Sequence, residues 1–271
     1  MAHLAGKSGS VYLATTIIDD CEDAWTSGTN GTASLETTLF KVGSGSAKCV
    51  VADIASAGDI VMYESIAAGA TNYSTFSHVL CWARSTVTAS AAAFRLALDN
   101  TAGAASPETL LDFPALTQDT WKYCHLTEVS GTPMSASTAA TVVGLEMNAD
   151  IGAVTIYLDD IRAAKTIAGI NTWTLDYTSD ALETTDFGCA GVKSYIIGGS
   201  GWSGSFSGYK DGAPLSIGTI WGVELAESAT TTQMWLGNII ITGINATTSH
   251  DGVDSYTYTF QGTGDLMTAS A

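Results

Sequence analysis

The stretch Thr172–Thr178, TWTLDYT, sets Trp173, Leu175 and Tyr177 at alternate positions, with Thr172, Thr174, Asp176 and Thr178 between them. Successive side chains of an extended chain point to opposite faces, so this reads as a strand with one apolar and one polar face. Tyr256, Tyr258 and Phe260 repeat the period, and Ser255, Thr257, Thr259 and Gln261 take the other face. Ser203–Tyr209 (SGSFSGY), Thr219–Leu225 (TIWGVEL), Trp235–Ile244 (WLGNIIITGI) and Gly9–Ala14 read as further strands. A mostly antiparallel β domain follows, a small twisted barrel or sandwich.

The segment between these strands is long. Ser46–Ala52, Asp59–Ile66, Phe76–Arg84, Ala93–Asp99, Trp121–Thr127, Thr141–Asn148 and Val154–Ile161 alternate or run apolar over strand-like lengths. Phe94, Leu96 and Leu98 share a face, as do Val143, Leu145 and Met147, and Val154, Ile156 and Leu158. Two packed antiparallel sheets are expected. The segment opens with an acidic cluster, IIDDCEDAW, and closes with another, VTIYLDDIRA, which suggests neighbouring ends. A unit with adjacent ends can sit in a loop of a host fold. The expected organisation is a discontinuous host domain, residues 1–17 and 165–271, carrying an inserted domain at 18–164, and the fold class is all-β.

Composition narrows the function. The 27 acidic and 10 basic residues among 271 give a net charge of −17. Phosphate neutralisation draws on clustered Lys and Arg, so nucleic-acid binding is disfavoured. The N-terminal MAHLAGKSGS lacks the basic start and apolar core of a secretory signal, and no run approaches the roughly 18 apolar residues that span a bilayer. Residence in a cytosol is expected. The cysteines at 21, 49, 81, 124 and 189 form no CxxC pair and are expected as reduced, buried thiols. His3, His78, His125 and His250 are scattered without metal-ligand spacing. GSGWSG leads into another strand, whereas a nucleophile elbow leads into a helix. No enzyme is expected, and no cofactor.

Six segments, GKSGSVYL, IAGINTWTLDY, ALETTDFG, GWSGSFSGY, IIITGINATTSHDG and YTFQGTGDL, occur in the order found in bacteriophage tail tube (major tail) proteins. The outer region resembles that family. The resemblance implies a β subunit that pairs with copies of itself in hexameric rings, stacked into a hollow tube that joins other tail proteins. The tube belongs to the virion tail, is assembled in the cytoplasm of an infected bacterium, contacts no membrane, and lets DNA pass without specific binding. A lumen that passes DNA needs a polar, weakly acidic wall, and the host region carries 10 acidic and 4 basic residues. Thr172, Thr174, Asp176 and Thr178 are the candidate lumen residues, with Ser255, Thr257, Thr259 and Gln261 a second set and an ordinary solvent face the alternative. The loop expected at Ser179–Val192 reaches a neighbouring subunit in the family. An insert of roughly 145 residues would obstruct the lumen, so it is expected on the exterior.

The inserted segment resembles carbohydrate-binding jelly-roll modules through its acidic start with Trp25, GSGSAKCVV, TWKYCHLT and YLDDI. That resemblance implies a structural calcium at Asp20, Glu22 and Asp160, since converging hard oxygens suit the ion; a solvated acidic edge is the alternative. It also implies host-surface glycans as ligands. Trp82 and Trp121 are the candidate sugar platforms, with Trp25 and Tyr123 behind them, and core packing is the competing fate of all four. Two other functions fit the sequence: a glycan-binding adhesion protein and a capsid decoration protein.

Overall fold

In a computed structural model the chain is all-β. The structure describes residues 9–186, 188, 191–228, 233–248 and 250–268. The strands are β1 (Ser10–Asp19), β2 (Thr26–Ser27), β3 (Gly31–Glu36), β4 (Ser46–Val51), β5 (Ile60–Ser65), β6 (His78–Ser85), β7 (Phe94–Asp99), β8 (Thr109–Asp112), β9 (Lys122–Glu128), β10 (Val142–Met147), β11 (Val154–Thr166), β12 (Ile170–Glu183), β13 (Tyr195–Tyr209), β14 (Ile220–Ala226), β15 (Met234–Thr247) and β16 (Ser255–Thr268). Hydrogen bonding runs in the order β12-β13-β16-β15-β14-β1-β11-β6-β9-β8-β7-β10-β5-β2, with β3 and β4 attached through β11.

Two apolar interiors form along this ribbon. The first is a sandwich. It packs β3, β4, β11, β6 and β9 against β8, β7, β10, β5 and β2, and its core contains Phe94, Leu96, Leu98, Val143, Leu145, Met147, Val154, Ile156 and Leu158. These are the residues whose period of two predicts an inward face, and each fully buried Leu or Phe contributes about 1.5–3 kcal/mol. The second interior lies within β12, β13, β16, β15, β14 and β1. Trp202, Phe206, Tyr258 and Phe260 stack there with Val223, Ile239 and Ile241. Across β13 and β16, Phe206 lies opposite Tyr258, with ring centroids 5.1 Å apart.

A close approach fixes the second interior. A Cβ on Gly262 would lie 2.0 Å from Trp202 Cε2, so the indole lies flat against the β16 backbone, and its Nε1 donates to Gly264 O at 3.1 Å. Only glycine leaves that space.

β11 connects the two interiors. One of its edges pairs with β6 over Ile156–Ala164; the other pairs first with β4 over Val154–Leu158 and then with β1 over Ile161–Thr166. The changeover is a bulge, with the register broken between Asp159 and Arg162 and Asp160 at φ 51°. Both expected junctions, 17/18 and 164/165, lie inside strands that pair with each other.

The strands anticipated by alternation are present, but β1, β11, β12, β13 and β16 run five or more residues past the anticipated bounds, and β2, β3 and β8 were not anticipated. Ser179–Val192 is corrected at its start: β12 continues to Glu183 and β13 begins at Tyr195, so Ser179–Glu183 is strand and lengthens the hairpin. Its cross-strand pairs run on through Ala181–Ile197 and Glu183–Tyr195. Cys21, Cys49, Cys81 and Cys124 are free and buried, and burial pushes the Cys49 and Cys124 thiols up to about 12. Cys189 lies outside the described residues.

Candidate functional site

The β12–β13 hairpin presents the polar face read from the sequence. Thr172, Thr174, Asp176 and Thr178 are all exposed, whereas Trp173 and Leu175 are half-buried over the second core. Antiparallel register extends each polar position into a row: Thr172 beside Ser207 and Thr257, Thr174 beside Ser205 and Thr259, Asp176 beside Ser203 and Gln261. Thr174 Oγ1 and Ser205 Oγ share a hydrogen bond of 2.9 Å. The face is hydroxyl-rich, and Asp176 is the one charge in these rows.

From Tyr177 outward the hairpin loses its cover. Tyr177, Leu182, Val192, Tyr195 and Ile196 are exposed, and Ile197 is 88% exposed. β12 is also the terminal strand of the ribbon, so the arm combines an open backbone edge with uncovered apolar side chains.

Where the sandwich backs onto the six-stranded sheet, the contact is buried and polar. Asp160 Oδ1 accepts from Arg162 Nε at 2.5 Å and Oδ2 from Asn238 Nδ2 at 2.9 Å. Asn238 Oδ1 in turn accepts from Trp82 Nε1 at 2.8 Å, and Arg162 Nη1 donates to Ile220 O at 3.1 Å. Ala14, Leu80, Trp82, Tyr123, Ala164 and Leu236 pack around these groups. Lys41 lies over the Trp82 ring and pairs with Asp265.

This arrangement corrects two expectations. Trp82 is 1% exposed, so its ring offers no face to a sugar, and Trp25 and Tyr123 are equally buried. Trp25 Nε1 donates to Asp19 Oδ1 at 3.0 Å. Trp121 is half-buried and packs near Tyr157. Asp20, Glu22 and Asp160 do not converge as a calcium set. Asp20 is exposed, Glu22 accepts from Ser44 N and Oγ, and Asp160 turns inward to Arg162 and Asn238. The positive φ at Asp160 redirects its side chain, a conformation that a YLDDI motif does not disclose. Asp159 instead faces the loop after β3. Its Oδ2 accepts from Lys41 N and Val42 N, its Oδ1 is buried without a partner, and burial pushes its carboxyl up to about 7.

No family model matches the chain, and no curated protein matches it significantly. Among solved structures it is similar to a chain in the tail of an empty GTA particle computed with helical refinement and C6 symmetry, at 19% identity and TM-score 0.35, over 40% of this chain and 87% of that one. A chain in the virion of a native gene transfer agent particle gives 18% identity and TM-score 0.34, over 40% and 89%. An exo-β-agarase gives 12% identity and TM-score 0.37, over 56% of this chain and 25% of that one. Likenesses this distant do not assign the chain to a family.

The same buried contact holds a cluster that sequence reasoning missed. His78 on β6, His125 on β9 and Glu224 on β14 come together, with His125 Nδ1 2.7 Å and His78 Nε2 3.1 Å from Glu224 Oε2. The two imidazoles stack at 4.0 Å between centroids. Burial works to raise the Glu224 carboxyl, but the imidazoles of His125 and His78 outweigh it and hold the group at about 2. Burial also pushes the His78 imidazole down, against the pull of Glu224. No local spacing announces the cluster, because its members are brought together only by strand order. No helix among the described residues is long and apolar enough to cross a membrane.

Proposed function

We propose that the chain is a structural subunit of a phage tail tube, without enzymatic activity, that joins copies of itself in hexameric rings stacked into a conduit for the genome. The observation that carries this reading is the arm at the end of the ribbon: a 14-residue terminal strand, β12, with Leu182, Tyr195, Ile196 and Ile197 uncovered beside it. An open edge of that length, flanked by apolar surface, is satisfied when a second copy pairs with it, and a ring closes without leaving an edge. The six segments resembling tail tube proteins support the same reading. The hydroxyl rows led by Thr172, Thr174, Asp176 and Thr178 would face the lumen, where few cations mean little hold on phosphate. Residues 18–164 would then be an inserted domain on the tube exterior.

The test is to concentrate the purified chain and image it by negative stain. Rings or tubes with regular outward protrusions are expected. A persistent monomer that binds glycans would overturn the reading in favour of an adhesion protein, and density confined to the capsid would make it a decoration protein. Any sugar contact on the sandwich is assigned to Trp121, the half-exposed indole of the original pair. Calcium in the sandwich is assigned to Asp159, whose unpaired buried oxygen suits a hard cation better than the dispersed Asp20, Glu22 and Asp160. A calcium-dependent rise in Tm that Asp159→Asn removes is expected. Identical melts in calcium and in chelator would dismiss the ion.

A further inference from the structure

We infer that His78, His125 and Glu224 form a binding site for one divalent transition-metal ion, zinc by chemical preference, that fastens the sandwich to the six-stranded sheet. Among the described residues, theirs is the group of His, Cys, Asp and Glu ligand atoms that lie within 4.8 Å of one another. Two imidazole nitrogens and one carboxylate oxygen are a donor set that zinc accepts, leaving a fourth position for water. Ligand atoms about 2.0–2.2 Å from a tetrahedral zinc stand roughly 3.3 Å from each other. Here Glu224 Oε2 is 2.7 Å from His125 Nδ1 and 3.1 Å from His78 Nε2, so an ion requires the carboxylate to draw back and the two stacked imidazoles to tilt towards a common point.

A second observation points to the ligand independently of the clustering. Glu224 is fully buried, yet its Oε1 has no hydrogen-bond partner, and His78 Nε2, on a residue 4% exposed, has only its 3.1 Å approach to Glu224 Oε2 and no hydrogen bond of good geometry. Buried polar atoms in folded proteins are nearly always paired, and two orphans in one cluster call for an occupant. An apolar occupant would leave both unsatisfied, whereas a cation held by both oxygens of the Glu224 carboxylate takes a lone pair from Oε1 beside Oε2, and another from His78 Nε2. The His125 side chain is 19% exposed and opens the cluster to solvent, which gives an ion a way in. Softer thiolates are absent from the set, and the imidazole majority favours zinc, nickel or cobalt over calcium or magnesium.

The site lies within one chain, so it does not depend on assembly. Because β6 and β9 supply the histidines and β14 the carboxylate, occupancy would bind the two cores together. The experiment uses the full chain, stripped with chelator, dialysed and titrated with zinc chloride in a calorimeter. One equivalent is expected to bind, with a rise in Tm of several degrees. Both effects should disappear in His125→Ala and Glu224→Gln and persist in His250→Ala, whose imidazole is far out in solvent. Cobalt(II) added to the wild-type chain should give the intense visible bands of a four-coordinate ion, a readout that survives if a variant fails to fold. Absence of saturable binding, stoichiometric binding that His125→Ala leaves intact, or only the weak bands of six-coordinate cobalt would each overturn the site and leave a hydrogen-bonded cluster.

Discussion

Asn238 on β15 donates to Asp160 on β11 through a buried hydrogen bond of 2.9 Å, joining the sheet strand to the bulge of the strand shared by both cores. The same amide accepts the Trp82 indole N–H, so one side chain satisfies two partners that have no access to water. Removing it leaves a carboxylate oxygen and an indole N–H unpaired. Asn238→Ala is therefore expected to cost about 3 kcal/mol, measured by urea unfolding. Asn238→Asp should cost at least as much, because it sets a second carboxylate against Asp160.

Asp159 gives a pH-dependent prediction. Its carboxyl is pushed from 3.8 up to about 7 in the folded chain, so the native state holds a proton that the unfolded state has released. Stability therefore falls as pH rises from about 4 to 7, and the penalty is complete above 7. Asn at this position imitates the protonated acid. In chelator, Asp159→Asn should raise stability by on the order of 2 kcal/mol at pH 8 and change little at pH 4, by thermal melts across the series.

Ile197 separates assembly from folding. At 88% exposure it contributes almost nothing to the monomer, yet it belongs to the arm that a second copy would cover. Ile197→Asp should leave Tm within about 1 °C, in line with the small effects of surface substitutions. Sedimentation velocity should show loss of higher-order species. Unchanged assembly would move the contact elsewhere on the sheet.

Gly262 tests the second core. Ala there would drive its Cβ into the Trp202 ring, and because the ring is pinned by its bond to Gly264 O it has nowhere to shift. A loss of about 3 kcal/mol is expected by urea unfolding. Gly199→Ala is the control, since nothing lies within 4 Å of its added Cβ.

How much of this was legible in the sequence depends on the range of the interaction involved. Alternation in TWTLDYT and in Tyr256–Phe260 is a local signal, and it identified the faces of β12 and β16 because burial on one side is what selects such a pattern. Strand β8, at four residues, is too short to show a period, and β3 alternates small and polar residues with little apolar contrast. The tryptophans misled for a different reason. Composition distinguishes a large aromatic from other residues but not a core position from an exposed platform, and Trp82 is buried because β15 brings Asn238 to its nitrogen. The His78–His125–Glu224 cluster was illegible because β14 reaches the paired strands β6 and β9 only through β1 and β11. The acidic pair at 159–160 gave no sign of its division of labour, since the bulge gives Asp159 to the Lys41 and Val42 amides and Asp160 to Arg162 and Asn238.

The division of one edge of β11 between β4 and β1 has a mechanical meaning. A continuous backbone passes from one core into the other with no linker between them, so the sandwich cannot swing as a tethered body. A sideways push on its far strands would be carried as torque through β11 into β1 and β14, so the sandwich and the six-stranded sheet turn as one stiff piece.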